Sequence, residues 1–117
     1  MTREITIGVV GPCAAGKTTL IKKLEEHGYH AKQIAQEHSY VQDMWARISK
    51  PSLLIYLDVS YENTMVRKRL NWSRNEYQIQ IERLNHARNH ADIFINTNNQ
   101  SSEEVFLQAM ERIKNHI

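Results

Sequence analysis

A glycine-containing segment near the start of the chain has the residue types and spacing of a phosphate-binding loop. The segment from Gly11 to Thr18 fits the pattern G-x-x-x-x-G-K-[ST] at every defined position. Its glycines allow a tight turn in which backbone N–H groups point inward at an anion. Lys17 can reach the β- and γ-phosphates, and the Thr18 hydroxyl can bind Mg²⁺. The pattern predicts binding of a nucleoside triphosphate with Mg²⁺; ATP is favoured and GTP stays open.

The predicted nucleotide contacts extend beyond this glycine loop, as we call residues Gly11 to Thr18. The residues that we predict to contact the nucleotide are Gly11, Pro12, Cys13, Ala14, Ala15, Gly16, Lys17, Thr18, Thr19 and Thr97. Cys13 lies where a helix N-terminus can lower a thiol pKa, although a small residue at this place is also explained by size alone.

A basic segment in the second half of the chain could surround a transferred phosphoryl group. Six basic residues lie between Arg67 and Arg88, against two acidic ones. Phosphoryl transfer needs positive charge around the transferred group, and arginine forks onto phosphate oxygens. We select Arg69 and Arg83 as catalytic candidates, because they bracket the corner between two predicted helices. The alternative is a solvated helix face with ordinary surface charge.

Predicted strands alternate with predicted helices along the whole chain. Apolar or β-branched runs predict strands over residues 5–10, 29–36, 53–57 and 93–95. Helical spacing and caps predict helices over 17–26, 40–48, 61–70 and 74–90, and a last helix opened by Ser101 with Glu104. This alternation predicts an α/β fold with a parallel sheet covered by helices on both faces.

In such a sheet the residues that follow the strands share one edge, where ligands bind. Gly11, Glu37, Asp58 and Asn96 each follow a predicted strand. Glu37 and Asp58 therefore compete as the acidic partner of Mg²⁺ beside Thr18, and an apolar strand that ends in aspartate is the usual shape of a magnesium-binding strand.

Composition limits the classes of protein that fit. A chain of 117 residues predicts a single domain over residues 1–117, and 41% hydrophobic with 24% charged residues is ordinary for a globular fold. A formal net charge of +2 argues against a nucleic-acid binder. A membrane-spanning helix needs about 18 consecutive apolar residues, and no run in this chain is that long. The chain has a single cysteine, so an internal disulfide is excluded. We expect a cytoplasmic protein.

Two further segments resemble nucleoside and nucleotide kinases of the P-loop group. Residues 51–59 (PSLLIYLDV) resemble a strand and turn of thymidylate kinases, and residues 91–97 (ADIFINT) are similar to the final strand of many small kinases. The basic segment resembles a kinase lid. The resemblance implies a three-layer P-loop NTPase fold with about four parallel strands and a Walker A loop. It also implies that Glu37 acts as a base or magnesium partner, with His38 standing where the kinases have arginine.

The residues and the resemblance together predict a small-molecule kinase that uses ATP and Mg²⁺. Its acceptor would be a nucleoside, a nucleotide or another small metabolite, with Lys17, Glu37, Arg69 and Arg83 in catalysis and Thr18, Glu37 or Asp58 at the metal. Only residues 40–50 are available to bind an acceptor. Either the acceptor is small, or a second copy in a homodimer completes the site, or the protein is a nucleotide-binding switch or slow ATPase that acts on a protein partner.

Overall fold

The chain forms an α/β fold with one four-stranded parallel sheet flanked by helices. The computed structural model describes residues 5–68 and 71–116. The strand order is β2-β1-β3-β4. The strands are β1 (Thr6–Val10), β2 (His30–Gln33), β3 (Leu53–Asp58) and β4 (Ile93–Asn96). The predicted parallel sheet is confirmed, although β2 is shorter than the predicted strand over 29–36.

Within residues 5–68 and 71–116, five α-helices connect and cover these strands. They are α1 (Lys17–Glu26), α2 (Tyr61–Lys68), α3 (Arg74–Arg83), α4 (Asn85–His90) and α5 (Ser102–His116). The N-cap bonds of both predicted capping boxes are present: the Glu76 N–H donates to Ser73 Oγ over 3.1 Å, and the Glu104 N–H donates to Ser101 Oγ over 3.1 Å. At the second helix the box is complete, since the Ser101 N–H donates back to Glu104 Oε1 over 2.9 Å. None of these five helices is long and apolar enough to cross a membrane.

Apolar side chains pack on both faces of the sheet. On one face, residues such as Ile7 and Ile55 pack with the buried stripes of α1 and α5. On the other face, Val10, Tyr56 and Leu84 belong to a smaller core that α3 and α4 help to close. Burial on both faces explains why β1 and β3 are continuous apolar runs rather than alternating ones.

The predicted helix over residues 40–48 is wrong. After β2 the chain makes a 3₁₀ turn (Gln36–His38), and only Trp45–Ser49 is helical, as a wide π-helical turn. The buried amide of Gln36 explains the change, because its Nε2 donates to the Val41 carbonyl and its Oε1 accepts from the Trp45 N–H. These bonds replace the regular pairing that a helix would need.

The predicted helix over residues 74–90 is interrupted at Leu84, which separates α3 from α4. The side chain of Gln42 causes the break. Its Nε2 donates to the Glu82 carbonyl over 3.0 Å, and its Oε1 accepts from the His86 N–H over 3.2 Å. These two backbone groups would pair with each other in an unbroken helix, so an inserted side chain bends the chain here.

Gly11 is where the fold leaves no room for a side chain. Its φ is +155°, and a Cβ at this position would lie 2.3 Å from the Leu57 carbonyl oxygen on β3. We expect Gly11→Ala to lower the free energy of unfolding by at least about 2 kcal/mol, because backbone rather than a flexible side chain must move.

Gly28→Ala is the matched control for that measurement. Gly28 also has a positive φ, +89°, but a Cβ there meets nothing within 4 Å. Only conformational strain remains, so a loss of about 1 kcal/mol is expected. Urea unfolding of both variants separates the clash from the strain, and equal losses would contradict the close approach of the glycine loop to β3.

Candidate functional site

A cavity of about 540 Å³ opens over the glycine loop, beyond the carboxyl ends of the strands. Several parts of the chain line it, among them Gln33 of β2 and the start of α5. The glycine loop and the start of α1 form the floor, and Glu37 and His38 from the 3₁₀ turn form one side. Arg67 of α2 and Thr97 after β4 form the other. The volume lies in the range of small-molecule sites.

Backbone N–H groups line the floor of this cavity. No side chain caps α1, and the first-turn residues Lys17, Thr18 and Thr19 line the cavity. The first N–H groups of a helix have no partner within the helix and carry the positive end of its dipole. Gly16 precedes them with a φ of +96°, and Ala14 has a φ of +69°. This arrangement can bind an anion such as a phosphate.

The Lys17 ammonium lies beneath the loop and is only 5% exposed. Its Nζ donates to Glu37 Oε2 over 2.7 Å, to the Pro12 carbonyl over 3.2 Å and to the Gly11 carbonyl. Three partners match the three N–H donors of an ammonium group. Glu37 is 3% exposed, and its Oε1 has no hydrogen-bond partner within residues 5–68 and 71–116. The site thus contains one satisfied cation and one carboxylate with a free oxygen.

Arg67 is the arginine that reaches the loop. Its guanidinium donates to the Thr97 hydroxyl over 2.9 Å, to the Thr97 carbonyl, and to the Ala14 carbonyl over 3.4 Å. Partial burial lowers the pKa of Arg67, but a guanidinium stays charged at neutral pH. Thr97 in turn donates its hydroxyl proton to the Asp58 carbonyl over 2.8 Å. Arg67 therefore brings a positive charge to the cavity wall and ties α2 to the end of β4.

Cys13 is held by a buried glutamine of α3. The Cys13 N–H donates to Gln80 Oε1 over 3.0 Å, and Gln80 Nε2 donates to Cys13 Sγ over 3.2 Å. Gln80 is 7% exposed, so these two bonds set the conformation of the loop at its second variable position.

The two candidate magnesium acids lie in different surroundings. Glu37 lines the cavity together with Thr18, whose hydroxyl donates to Gln33 Oε1 over 3.1 Å. Asp58 is not among the described residues that line the cavity, and burial raises the pKa of its carboxyl. The geometry favours Glu37 over Asp58 as the acidic partner of a cation.

Of the two arginines selected from the sequence, Arg83 is described and does not line the cavity. Arg83 lies behind the 3₁₀ turn, with its guanidinium 4.5 Å from the centre of the Tyr40 ring and 3.4 Å from the Glu37 carbonyl oxygen. Arg69 lies outside the described residues. The sequence contained a signal for Arg67. Ser60, Thr64 and Arg67 are four and three residues apart, so they lie on one face of the predicted helix. The sequence contained no signal for Gln80, which is distant in sequence from Cys13.

Breaking the ion pair should destabilise the protein. Lys17→Met leaves the Glu37 carboxylate buried without its cation, and we expect a loss of about 3 kcal/mol in the free energy of unfolding. The double variant Lys17→Met/Glu37→Gln should recover most of this loss, because it removes the uncompensated charge. Urea unfolding measures both.

The control for this cycle is the exposed pair between Lys23 and Glu103, at 3.1 Å. Lys23→Met should change the free energy of unfolding by less than about 1 kcal/mol, since water screens this pair. Equal losses in Lys17→Met and Lys23→Met would show that burial of the first pair has no energetic consequence.

Comparison with known proteins provides no family for the chain. No protein-family model matches it, and no curated protein matches it. Among solved structures the chain is similar to the crystal structure of FixJ-N, with 14% sequence identity and a TM-score of 0.49. This match covers 99% of the chain and 98% of FixJ-N.

These findings correct the family assignment made from the sequence. A solved structure that the chain resembles is FixJ-N rather than a kinase, so the assignment to the P-loop kinase group, with its kinase and Walker A labels, is corrected. The likeness to FixJ-N is itself too distant to support a functional conclusion. The comparisons establish no family, and function must be argued from the site.

Proposed function

We propose that this protein binds a nucleoside triphosphate with Mg²⁺, most simply ATP, in the cavity over the glycine loop. The observation that carries the proposal is the buried ammonium of Lys17 beneath a floor of uncapped N–H groups. A positive charge and a helix N-terminus at one concave surface favour a multiply charged anion. Arg67 adds a second cation at the opposite wall. Under this proposal the sheet is of the phosphate-loop NTPase type.

Binding of a phosphate requires Lys17 to exchange a partner. Its three donors already bond to Gly11, Pro12 and Glu37. Of these acceptors, the Glu37 carboxylate is the only side chain, whereas the two carbonyls belong to the loop itself. We infer that a phosphate oxygen replaces Glu37 on Lys17, and that Glu37 then has both oxygens available for a cation or for a water proton.

Thr18 and Glu37 fit the requirements of a Mg²⁺ site. Mg²⁺ takes oxygen ligands and is usually held by one or two protein groups together with phosphate oxygens and water. The Thr18 hydroxyl donates its proton to Gln33, so its oxygen lone pairs remain available as ligands. Bound Mg²⁺ would neutralise charge on the phosphates, while Lys17 and Arg67 would hold the phosphate chain in place.

The γ-phosphoryl group could be transferred to either of two kinds of acceptor. It could pass to a small hydroxylated acceptor, or to water in a slow hydrolysis that switches the protein between two states. One observation favours hydrolysis with a protein partner: three apolar side chains of the segment predicted to bind an acceptor are exposed, while Met44 and Trp45 pack against the core. Tyr40 is 87% exposed, Val41 50% and Ile48 75%. Such side chains following directly on Glu37 and His38 are typical of a contact surface rather than an acceptor pocket.

Removal of the Lys17 charge should weaken triphosphate binding. We expect Lys17→Ala to raise the Kd for Mg-ATP at least about tenfold, or 1.4 kcal/mol, by calorimetric titration. Lys23→Ala, on the same helix but outside the described lining of the cavity, should leave the Kd unchanged. Because Lys17→Ala also breaks the ion pair, the more stable Lys17→Met/Glu37→Gln variant is titrated alongside. Unchanged binding in both Lys17 variants would exclude the glycine loop as the phosphate site.

Glu37 should matter for turnover more than for binding. We expect Glu37→Gln to keep the Kd for Mg-ATP within about threefold while turnover falls at least tenfold. Turnover is followed with γ-labelled ATP and a pool of nucleosides, nucleotides and hydroxylated metabolites. Label in an organic product identifies an acceptor, whereas label only in inorganic phosphate supports the hydrolytic switch. Unaltered turnover in Glu37→Gln would make Glu37 structural.

A further inference from the structure

Three side chains with different donor atoms meet on one wall of the cavity. A ligand atom from each of Cys13, Glu37 and His38 lies within 4.8 Å of the other two. All three residues line the cavity, so an ion can reach them from solvent. Sulfur, carboxylate oxygen and imidazole nitrogen together are a donor set suited to transition-metal ions.

The carboxylate of Glu37 has an unused oxygen in this cluster. Oε2 accepts from Lys17, whereas Oε1 is buried and accepts no hydrogen bond from any described residue. A carboxylate oxygen removed from water without a partner is unfavourable. A cation bound at Oε1 would satisfy it without displacing Lys17 from Oε2.

The sulfur of Cys13 is already positioned by Gln80. The buried amide bonds to both the N–H and the Sγ of Cys13, over 3.0 and 3.2 Å. These bonds fix the position of the sulfur, and it is the thiolate form of cysteine that binds metals. The thiolate also adds a negative charge that offsets the ammonium of Lys17 near the ion.

His38 is the exposed member of the cluster. Its side chain is 61% exposed, and its Nε2 lies 3.9 Å from Glu37 Oε2. Ligand atoms around a tetrahedral Zn²⁺ are about 3.5 Å apart, given metal–ligand distances of about 2.0–2.3 Å. Glu37 Oε2 is the oxygen that accepts from Lys17, so the imidazole must turn towards Oε1 for both to bind one ion, and its exposure leaves room for that turn.

We propose that Cys13, Glu37 and His38 form a Zn²⁺ site on the wall of this cavity. Mg²⁺ prefers oxygen ligands alone, so the thiolate and imidazole select a softer ion. Three protein ligands leave a fourth position facing the cavity, open to water or another small ligand. The site uses the protein's own donor atoms and does not depend on triphosphate binding.

Co²⁺ is the probe that tests this site. A thiolate bound to Co²⁺ gives a sulfur-to-metal charge-transfer absorption band, and Cys13 is the only cysteine in the chain. The band therefore reports on Cys13 alone. We expect it to appear on titration of the intact protein with Co²⁺, to persist in excess Mg²⁺ and to disappear on addition of Zn²⁺. Cys13→Ser should abolish it.

Variants of the other two ligands distinguish the three-residue site from a lone thiolate. Glu37→Gln and His38→Gln should each weaken Co²⁺ binding, read from the band, at least about tenfold. Because His38 is exposed, its variant should retain the fold even if Glu37→Gln does not. A band that is absent in the intact protein, or unchanged in affinity in His38→Gln, would overturn the proposal.

His90→Gln is the control for an alternative metal site. The rings of His86 and His90 stack 4.2 Å apart on α4 and could bind a metal as a pair. This variant should leave the Co²⁺ band and its affinity unchanged. Calorimetric Zn²⁺ binding that is lost in His90→Gln and kept in Cys13→Ser would place the ion at the histidine pair and overturn the assignment to the cavity.

Discussion

The buried ion pair between Lys17 and Glu37 connects the two parts of the chain from which the site is built. Lys17 begins α1 directly after the glycine loop, and Glu37 lies in the turn that follows β2. Both are almost inaccessible, so their attraction must offset the loss of hydration of two charges. It does so with help from the loop carbonyls, which occupy the remaining donors of Lys17. This pairing therefore joins the glycine loop to the turn that carries Glu37.

Two buried glutamine side chains also link segments of the site that are distant in sequence. Gln36 bonds to backbone groups of Val41, Trp45 and Arg83, and Gln80 bonds twice to Cys13. An amide carries both donors and an acceptor, so one buried side chain can satisfy backbone groups of segments that do not pair with each other. These bonds connect the turn after β2 and the glycine loop to α3, and they position Glu37 and Cys13 without adding charge.

Glu37 could serve two kinds of cation from one position. With a phosphate chain and Thr18, its oxygens belong to an oxygen-only environment that suits Mg²⁺. With Cys13 and His38, the same carboxylate belongs to a mixed donor set that suits Zn²⁺. The two ions would approach Glu37 from the same cavity, so each would change the charge that the other meets. The site combines a buried ammonium, a carboxylate with one unpaired oxygen and a hydrogen-bonded thiol. Under both proposals, the affinity for one ion would depend on whether the other is bound.

Local patterns in the chain predicted most of the elements and the glycine loop. Continuous apolar runs indicated β1 and β3, the bounds of α1 were predicted correctly, and Glu37 was placed at the same sheet edge as Gly11 because each follows a predicted strand of a parallel sheet. Contacts between distant segments decided the rest. Gln42 interrupts the helix predicted through Leu84, and Arg67 rather than Arg83 lines the cavity, since both outcomes depend on partners far away in sequence. The kinase assignment failed for a related reason: it rested on short segments, the glycine loop, residues 51–59, residues 91–97 and the basic segment, whereas family membership is a property of the whole chain.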